Sequence, residues 1–231
     1  MNSKRAIKKG EEGENLVASI LDKDTKYHRL INNLVLLGDN GVSHQIDHIL
    51  IRPNGVFVVE TKNYYGLIEG KEEDSFWTRS YFVKGKVKKA TFHNPLKQNQ
   101  SHIRAIKKII GKDYPIYCFV VFVQNNSESL ALFSACDARN IIQRINLLTS
   151  DKSLSKGEID MIADSLLAKE AYLNTDDHVS NIKNAEKSRK DAQKEMRLAI
   201  EKKICPKCGS KLVLTNNQLK CSNCDYKIKF N

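Results

Sequence analysis

The chain has 231 residues, enough for one well-buried domain plus a small appendage, and its 38 Lys and Arg against 27 Asp and Glu leave a formal net charge of +11. No apolar run approaches the roughly 20 residues that span a bilayer, and MNSKRAIKKGEEGEN lacks the apolar centre of a signal peptide, so a soluble, cytoplasmic protein with no membrane partner is expected. The charge is uneven: residues 181–231 hold 13 Lys or Arg against 5 Asp or Glu, +8 of the +11, which points to a polyanion, although lysine-rich helices are also simply soluble.

Residues 11–22 read as a helix with acids in its first turn and an apolar stripe of Val17, Ile20 and Leu21. Glu14 falls on that stripe, and Gly10 and Gly13 would let the turn approach a sheet closely. Residues 30–37 read as a first strand, followed by a Gly-Asp-Asn-Gly turn. The stretch QIDHILIRPNGVFVVETK, residues 45–62, reads as an antiparallel hairpin, because two β-branched apolar runs flank Arg-Pro-Asn-Gly. Both faces carry apolar groups, which marks the strands as central and covered on both sides.

A turn centred between Pro53 and Asn54 pairs residues whose numbers sum to 107, so Asp47 lies opposite Glu60, with Lys62 on the same face. Facing acids destabilise a strand pair unless a divalent cation lies between them, and hard oxygen ligands suit Mg²⁺. Asp47, Glu60 and Lys62 therefore read as a metal site with a neighbouring ammonium; the plain alternative is a strand emerging into solvent. His48 points the other way by parity and reads as a hydrogen-bonded core histidine.

Residues 63–91 read as irregular strands with a basic YFVKGKVKKA hairpin, in which Lys84, Lys86, Lys88 and Lys89 are candidate phosphate contacts and Tyr64 and Tyr65 candidate stacking groups. Trp77 and the tyrosines could equally cap the core. Asn94-Pro95 precedes a helix over 98–110, and IYCFVVFV, 116–123, reads as a buried strand. Asp137 is a candidate cap for a short helix. Ser155-Lys-Gly-Glu158 matches a capping box opening a helix to about Ala171, and 180–203 reads as a long charged helix serving as a spacer, with pairing to another chain as the alternative.

Taken together, GEEGENLVASIL, QIDHILIRPNGVFVVETKNYYGLIEG, Trp77 and NPLKQNQSHI, spread over roughly residues 8–125, resemble the nuclease-related domain (NERD), a branch of the restriction-endonuclease-like PD-(D/E)xK superfamily. The resemblance implies an α/β fold with a mixed central sheet flanked by helices, and an Mg²⁺- or Mn²⁺-dependent phosphodiesterase active on DNA, with RNA left open. It also implies that Glu14 helps hold the metal or its waters and that Gln98 completes the site, with Gln100 and His102 as further candidates. For Glu14 the other reading is a helix-start carboxylate satisfying free amides.

Cys205-Pro-Lys-Cys208 and Cys221-Ser-Asn-Cys224 form two knuckles whose four thiolates make a closed shell for one structural Zn²⁺, in a segment with too little core to fold without it. Cys118 and Cys136 read as core thiols. The last segment resembles the zinc ribbons of bacterial type I topoisomerases, which implies nucleic-acid binding, single-stranded DNA included; the alternative is a bare structural ribbon that binds protein. Lys211, Lys220, Lys227 and Lys229 would then contact phosphates, and Tyr226 or Phe230 would stack. Three parts are expected: a nuclease-like domain over 1–150, a helical linker over 151–203 and a ribbon over 204–231. The rival is a non-catalytic nucleic-acid-binding or accessory protein that recruits a DNA-processing partner.

Overall fold

The computed structural model describes residues 2–37, 43–124, 126–170, 194–215 and 218–229, together with 180, 187 and 191. The chain divides into two compact units, Met1–Tyr172 and Leu173–Asn231. Among the described residues no helix is long and apolar enough to cross a membrane.

The first unit opens with α1 (Asn2–Leu21), which starts nine residues before the expected helix. Glu11 and Glu12 therefore lie mid-helix and the first turn carries no acid, because the preceding run of good helix formers simply continues it. Then come β1 (Arg29–Leu37), β2 (Ser43–Arg52) and β3 (Gly55–Lys62), the expected first strand and central hairpin. The Gly-Asp-Asn-Gly turn lies outside the described residues. The ladder pairs Arg52 with Gly55, Ile51 with Val56 and so on to His48 with Val59, each summing to 107 as the turn required.

β3 also pairs in parallel with β7 (Ile116–Phe122), which pairs in parallel with β8 (Ala135–Asp137), giving the mixed order β1-β2-β3-β7-β8. Strands in the middle of such a sheet must be apolar on both faces, and in β3 every residue before Lys62 is buried. One face packs under α1 and α3 (Ile141–Leu147): Val17 and Leu21 meet Leu50, Phe57 and Val59. The other packs under α2 (Pro95–Ile110) and α4 (Lys156–Leu167), where Ile106, Ile159 and Ile162 meet Ile49, Val56 and Val58. The expected mixed sheet flanked by helices is therefore present.

Local chemistry fixes the flanking helices. Asn94 accepts from the Leu96 amide at 2.9 Å and Pro95 occupies the first turn, so α2 starts three residues before the expected 98. The Ser155–Glu158 capping box forms as expected. α4 buries Leu166 in the sheet's core and ends at Leu167, so the first unit runs past the expected limit at 150. Asp137 stands at the N-cap position of the short turn Ala138–Asn140 as expected, but its side chain makes no capping bond there, because its Oδ1 accepts from the amide and hydroxyl of Ser127 instead. A second sheet, β4 (Leu67–Glu69), β5 (Phe76–Val83) and β6 (Lys86–His93), carries the basic hairpin, and buried Trp77 packs with Phe122 and Val120 of the main sheet.

The second unit holds β9 (Leu212–Thr215), β10 (Gln218–Cys221) and β11 (Lys227–Lys229) in the order β11-β10-β9. Its small core is Cys205, Leu212 and Leu219, with Ile200 and Tyr226 against it. The long helix expected over 180–203 lies largely outside the described residues, although 194–201 are helical.

Candidate active site

The β2–β3 register, extended one step beyond His48–Val59, sets Asp47 against Glu60 at the open end of the hairpin. Thr61 donates its amide to Asp47 Oδ2 at 2.8 Å, which fixes one carboxylate. Lys62 Nζ donates to Glu60 Oε1, which fixes the other. Glu60 is 2% exposed, and among the described residues its buried Oε2 has no hydrogen-bond partner. Such an atom costs free energy unless a ligand claims it.

The electrostatics agree with the geometry. Burial, and next the Glu60 charge, push the Asp47 carboxyl up to about 8, against the opposing pull of the Thr61 amide and Lys62. Burial works against the Lys62 ammonium, but Glu60 and Asp47 outweigh it and raise its pKa. Glu14 of α1 joins this group: its half-buried carboxyl is raised by burial first, then by Glu60 and Glu11. Gly13 makes the approach possible, because a Cβ there would stand 2.9 Å from Asn63 Cβ. Asn63 clamps the junction, donating to Lys9 O at 2.7 Å and accepting from Gln124 at 2.6 Å. Gly10 has no such neighbour.

Three carboxyls crowd one ammonium here, so each added negative charge makes the next costlier, and burial and then this crowding raise Asp47 and Glu14. The donor set is hard oxygen and includes one unclaimed, buried atom, which suits a divalent cation, but among the described residues the three carboxyls do not gather as tightly as the four cysteines of the second unit.

Gln98 stands apart from this group. It is exposed on α2, and among the described residues its contacts are those of its backbone, to Asn94 and Ser101. The inward positions are its neighbours: Asn99 donates to Phe119 O at 3.0 Å and Val58 O at 3.4 Å, and its Oδ1 accepts from His102 Nδ1 at 3.1 Å. Burial, then His44 and Lys62, depress His102 to about 4, so a neutral imidazole stands beside the ammonium. The His44 ring lies edge-on to it at 5.8 Å. His102 could have been ranked above Gln98 by its spacing from Ile106, four residues on along the buried face. His48 is a core histidine as expected, bonded to Asn32 Oδ1 and Thr61 Oγ1.

Lys84, Lys86, Lys88 and Lys89 are exposed around a turn in which Lys84 and Gly85 both have positive φ, 49° and 73°. This is the hairpin geometry whose twist matches the strands.

In the second unit the four knuckle cysteines bring their sulfurs within 4.8 Å of one another. Cys205 and Cys224 are 3.7 Å apart and Cys208 and Cys221 3.4 Å, too long for disulfides. A tetrahedron with Zn–S bonds of about 2.3 Å has sulfurs about 3.8 Å apart, so the cluster fits a zinc ion. Lys211, Lys220 and Lys227 are exposed, Tyr226 is half-buried against the ribbon's core, the Lys229 backbone is in β11, and Phe230 lies outside the described residues. Cys136 is buried and Cys118 half-buried, and burial pushes their thiols up to about 12 and about 11, as inert core thiols require.

The fold and site define a mixed α/β protein with an acid–acid–lysine centre on its central hairpin and a separate four-cysteine module. Residues 9–123 match the family model of the nuclease-related domain, NERD, and that segment contains Glu14, Asp47, Glu60, Lys62 and Gln98. An uncharacterized protein of Bacillus anthracis is 43% identical over 115 residues, 49% of this chain and 52% of that protein. The chain thus spans about half the length of the curated relative it matches. No solved structure matches.

Proposed function

We propose that this protein is a metal-dependent nuclease that hydrolyses phosphodiester bonds within DNA, assisted by a nucleic-acid-binding zinc ribbon. The observation that carries the reading is the buried, unclaimed Glu60 Oε2 opposite Asp47 and beside Lys62. Asp47 and Glu60 would hold Mg²⁺ or Mn²⁺, which supplies positive charge at the scissile phosphate and a bound water of lowered pKa. Lys62, held charged by the two acids, orients the attacking water or neutralises charge that grows on the phosphate. Glu14 supports the ligands from α1. Gln98 keeps a role on the strength of the resemblance alone.

Lys84, Lys86 and Lys88 take phosphates of the same strand. In the ribbon, Cys205, Cys208, Cys221 and Cys224 hold Zn²⁺, and Lys211, Lys220, Lys227 and Lys229 contact phosphates while Tyr226 or Phe230 stacks. Lys220 directly faces Lys227 across β10 and β11, a like-charge pair that an anion would stabilise. The ribbon acts by tethering, raising the local concentration of nucleic acid.

Glu60→Ala tests the reading. Cleavage is expected to vanish while nucleic-acid affinity stays within about twofold, because phosphate contacts elsewhere dominate binding. Equal loss of both would make Glu60 structural and return the protein to the class of non-catalytic binding or recruiting modules.

A further inference from the structure

A second cluster lies next to the acids and is unused by the chemistry above. Arg79 of β5 sits over three tyrosine rings, with its guanidinium carbon 4.7 Å from the centroid of Tyr81, 4.9 Å from Tyr64 and 5.4 Å from Tyr65. Lys9 of α1 adds its ammonium 4.8 Å from the Tyr65 ring. Tyr65 and Tyr81 meet edge-on at 5.3 Å. Gly66, at φ 97°, brings the tyrosines onto β5, since a Cβ there would lie 2.3 Å from Ser80 O.

Two properties of this cluster point to a ligand. Arg79, Lys9 and Arg5 gather without a counter-ion: among the described residues none of them forms an ion pair with a carboxylate. The Lys9 ammonium is disfavoured by burial, then by Arg79 and Arg5, so an anion there would be welcomed. The aromatic surface is also open, with Tyr65 45% exposed. The cluster adjoins the candidate active site by chain and by field: Tyr64 is two residues past Lys62 and acts on its ammonium, and Lys9 O is held by Asn63.

We propose that Arg79, Lys9, Tyr65 and Tyr81 form a subsite for an unpaired nucleic-acid strand, taking a phosphate on the two cations and a base on the exposed tyrosine face. It rests on the nuclease reading and deepens it, because it selects single-stranded over paired substrate beside the cutting centre. A duplex hides its base faces in its own stack, whereas every unpaired base offers one to an aromatic ring. Cations over tyrosine rings hold both elements of such a grip in place before binding.

The test uses the full-length protein in EDTA with fluorescent oligonucleotides: a single-stranded DNA, the same sequence as RNA, and its duplex. Tyr65→Ala should weaken single-strand binding at least about fivefold, as loss of one stacked base does, with duplex binding unchanged. Arg79→Met should weaken single strands similarly and flatten the salt dependence by about 0.7 in log–log slope, the share of one phosphate contact. Bromouracil photo-crosslinking should label the Tyr65 or Tyr81 peptide, which separates this site from the ribbon. Equal loss on duplex and single strand, or wild-type binding by both folded variants without crosslinks to these peptides, overturns the subsite. DNA and RNA bound alike would assign it to base and phosphate; a preference for one would add a sugar contact. Lack of cleavage by the wild type with these crosslinks intact would count against the nuclease reading alone.

Discussion

Asp47 shows how much a single residue carries at this site. Its amide partner fixes its direction, and its own burial, followed by the charge of Glu60, makes its charge costly, so the carboxyl is pushed up to about 8. Asp47→Asn keeps an acceptor for the Thr61 amide and removes the repulsion. In EDTA at pH 8 this variant should be more stable than wild type by about 1–2 kcal/mol, the usual trade of stability for function, while losing metal binding and cleavage. Denaturant melts check it, and a destabilised variant would mean that the charge is tolerated for packing reasons.

His102 makes the opposite prediction with pH. Its folded pKa of about 4 lies below the unfolded value of about 6.5, so its contribution is present above pH 6.5 and is lost as pH falls towards 4. The full cost is about 3 kcal/mol. His102→Asn, which preserves a donor to Asn99, should flatten the acid limb of the stability profile; an unchanged limb would assign that loss to other groups. The register-sensitive residues Asp47, Glu60 and Lys62 were legible because a two-residue turn and a period of two leave no freedom. The exposure of Gln98 was missed, although the spacing of His102 from Ile106 was there to read, because the buried face of the helix that starts at Pro95 runs through Leu96, Asn99, His102 and Ile106.

At the scale of elements, α1 matters because it delivers Glu14 across the end of the sheet. Gly13→Ala would place a Cβ 2.9 Å from Asn63 Cβ, whereas at Gly10 the nearest atom is a flexible carboxylate oxygen at 3.9 Å. Gly13→Ala should cost about 1–3 kcal/mol through overpacking and lower cleavage by displacing Glu14. Gly10→Ala should instead gain about 0.5–1 kcal/mol from helix propensity and leave activity intact. Thermal melts and cleavage rates of the pair check this; equal behaviour would mean that α1 does not have to touch the strand. Gly13 announced this approach in the sequence. The helix's early start did not show, since Lys- and Arg-rich turns carry no apolar period, and the tyrosine–arginine cluster was hidden because β5 must fold back beside residues 64–66 before Arg79 can reach them.

At the scale of the molecule, the two units should respond differently to metal removal. A zinc-selective chelator, or Cys208→Ser, should unfold the ribbon, because its core of Cys205, Leu212 and Leu219 is too small to stand without an ion. The first unit, with cores on both faces of its sheet, should keep its own transition. Elemental analysis should find one zinc per chain in wild type and none in the variant, and a ribbon that stays folded without metal would remove zinc from the account. The capping box and the knuckle spacing were plain in the sequence because each is a local pattern with a local cause. That α4 completes the first unit was less plain, since an amphipathic helix does not announce which sheet covers it.

The most direct test of the central claim is cleavage of circular single-stranded, supercoiled and linear DNA by the purified protein with Mg²⁺, with Mn²⁺ and with EDTA, beside Lys62→Ala. The account predicts cutting of circular substrates with either ion, none in EDTA, and loss in the variant of at least about a hundredfold, as removal of one charge-stabilising group from an active site gives. Salt-sensitive binding without cleavage of any substrate would contradict it and leave the acids at the hairpin's open end without a catalytic role.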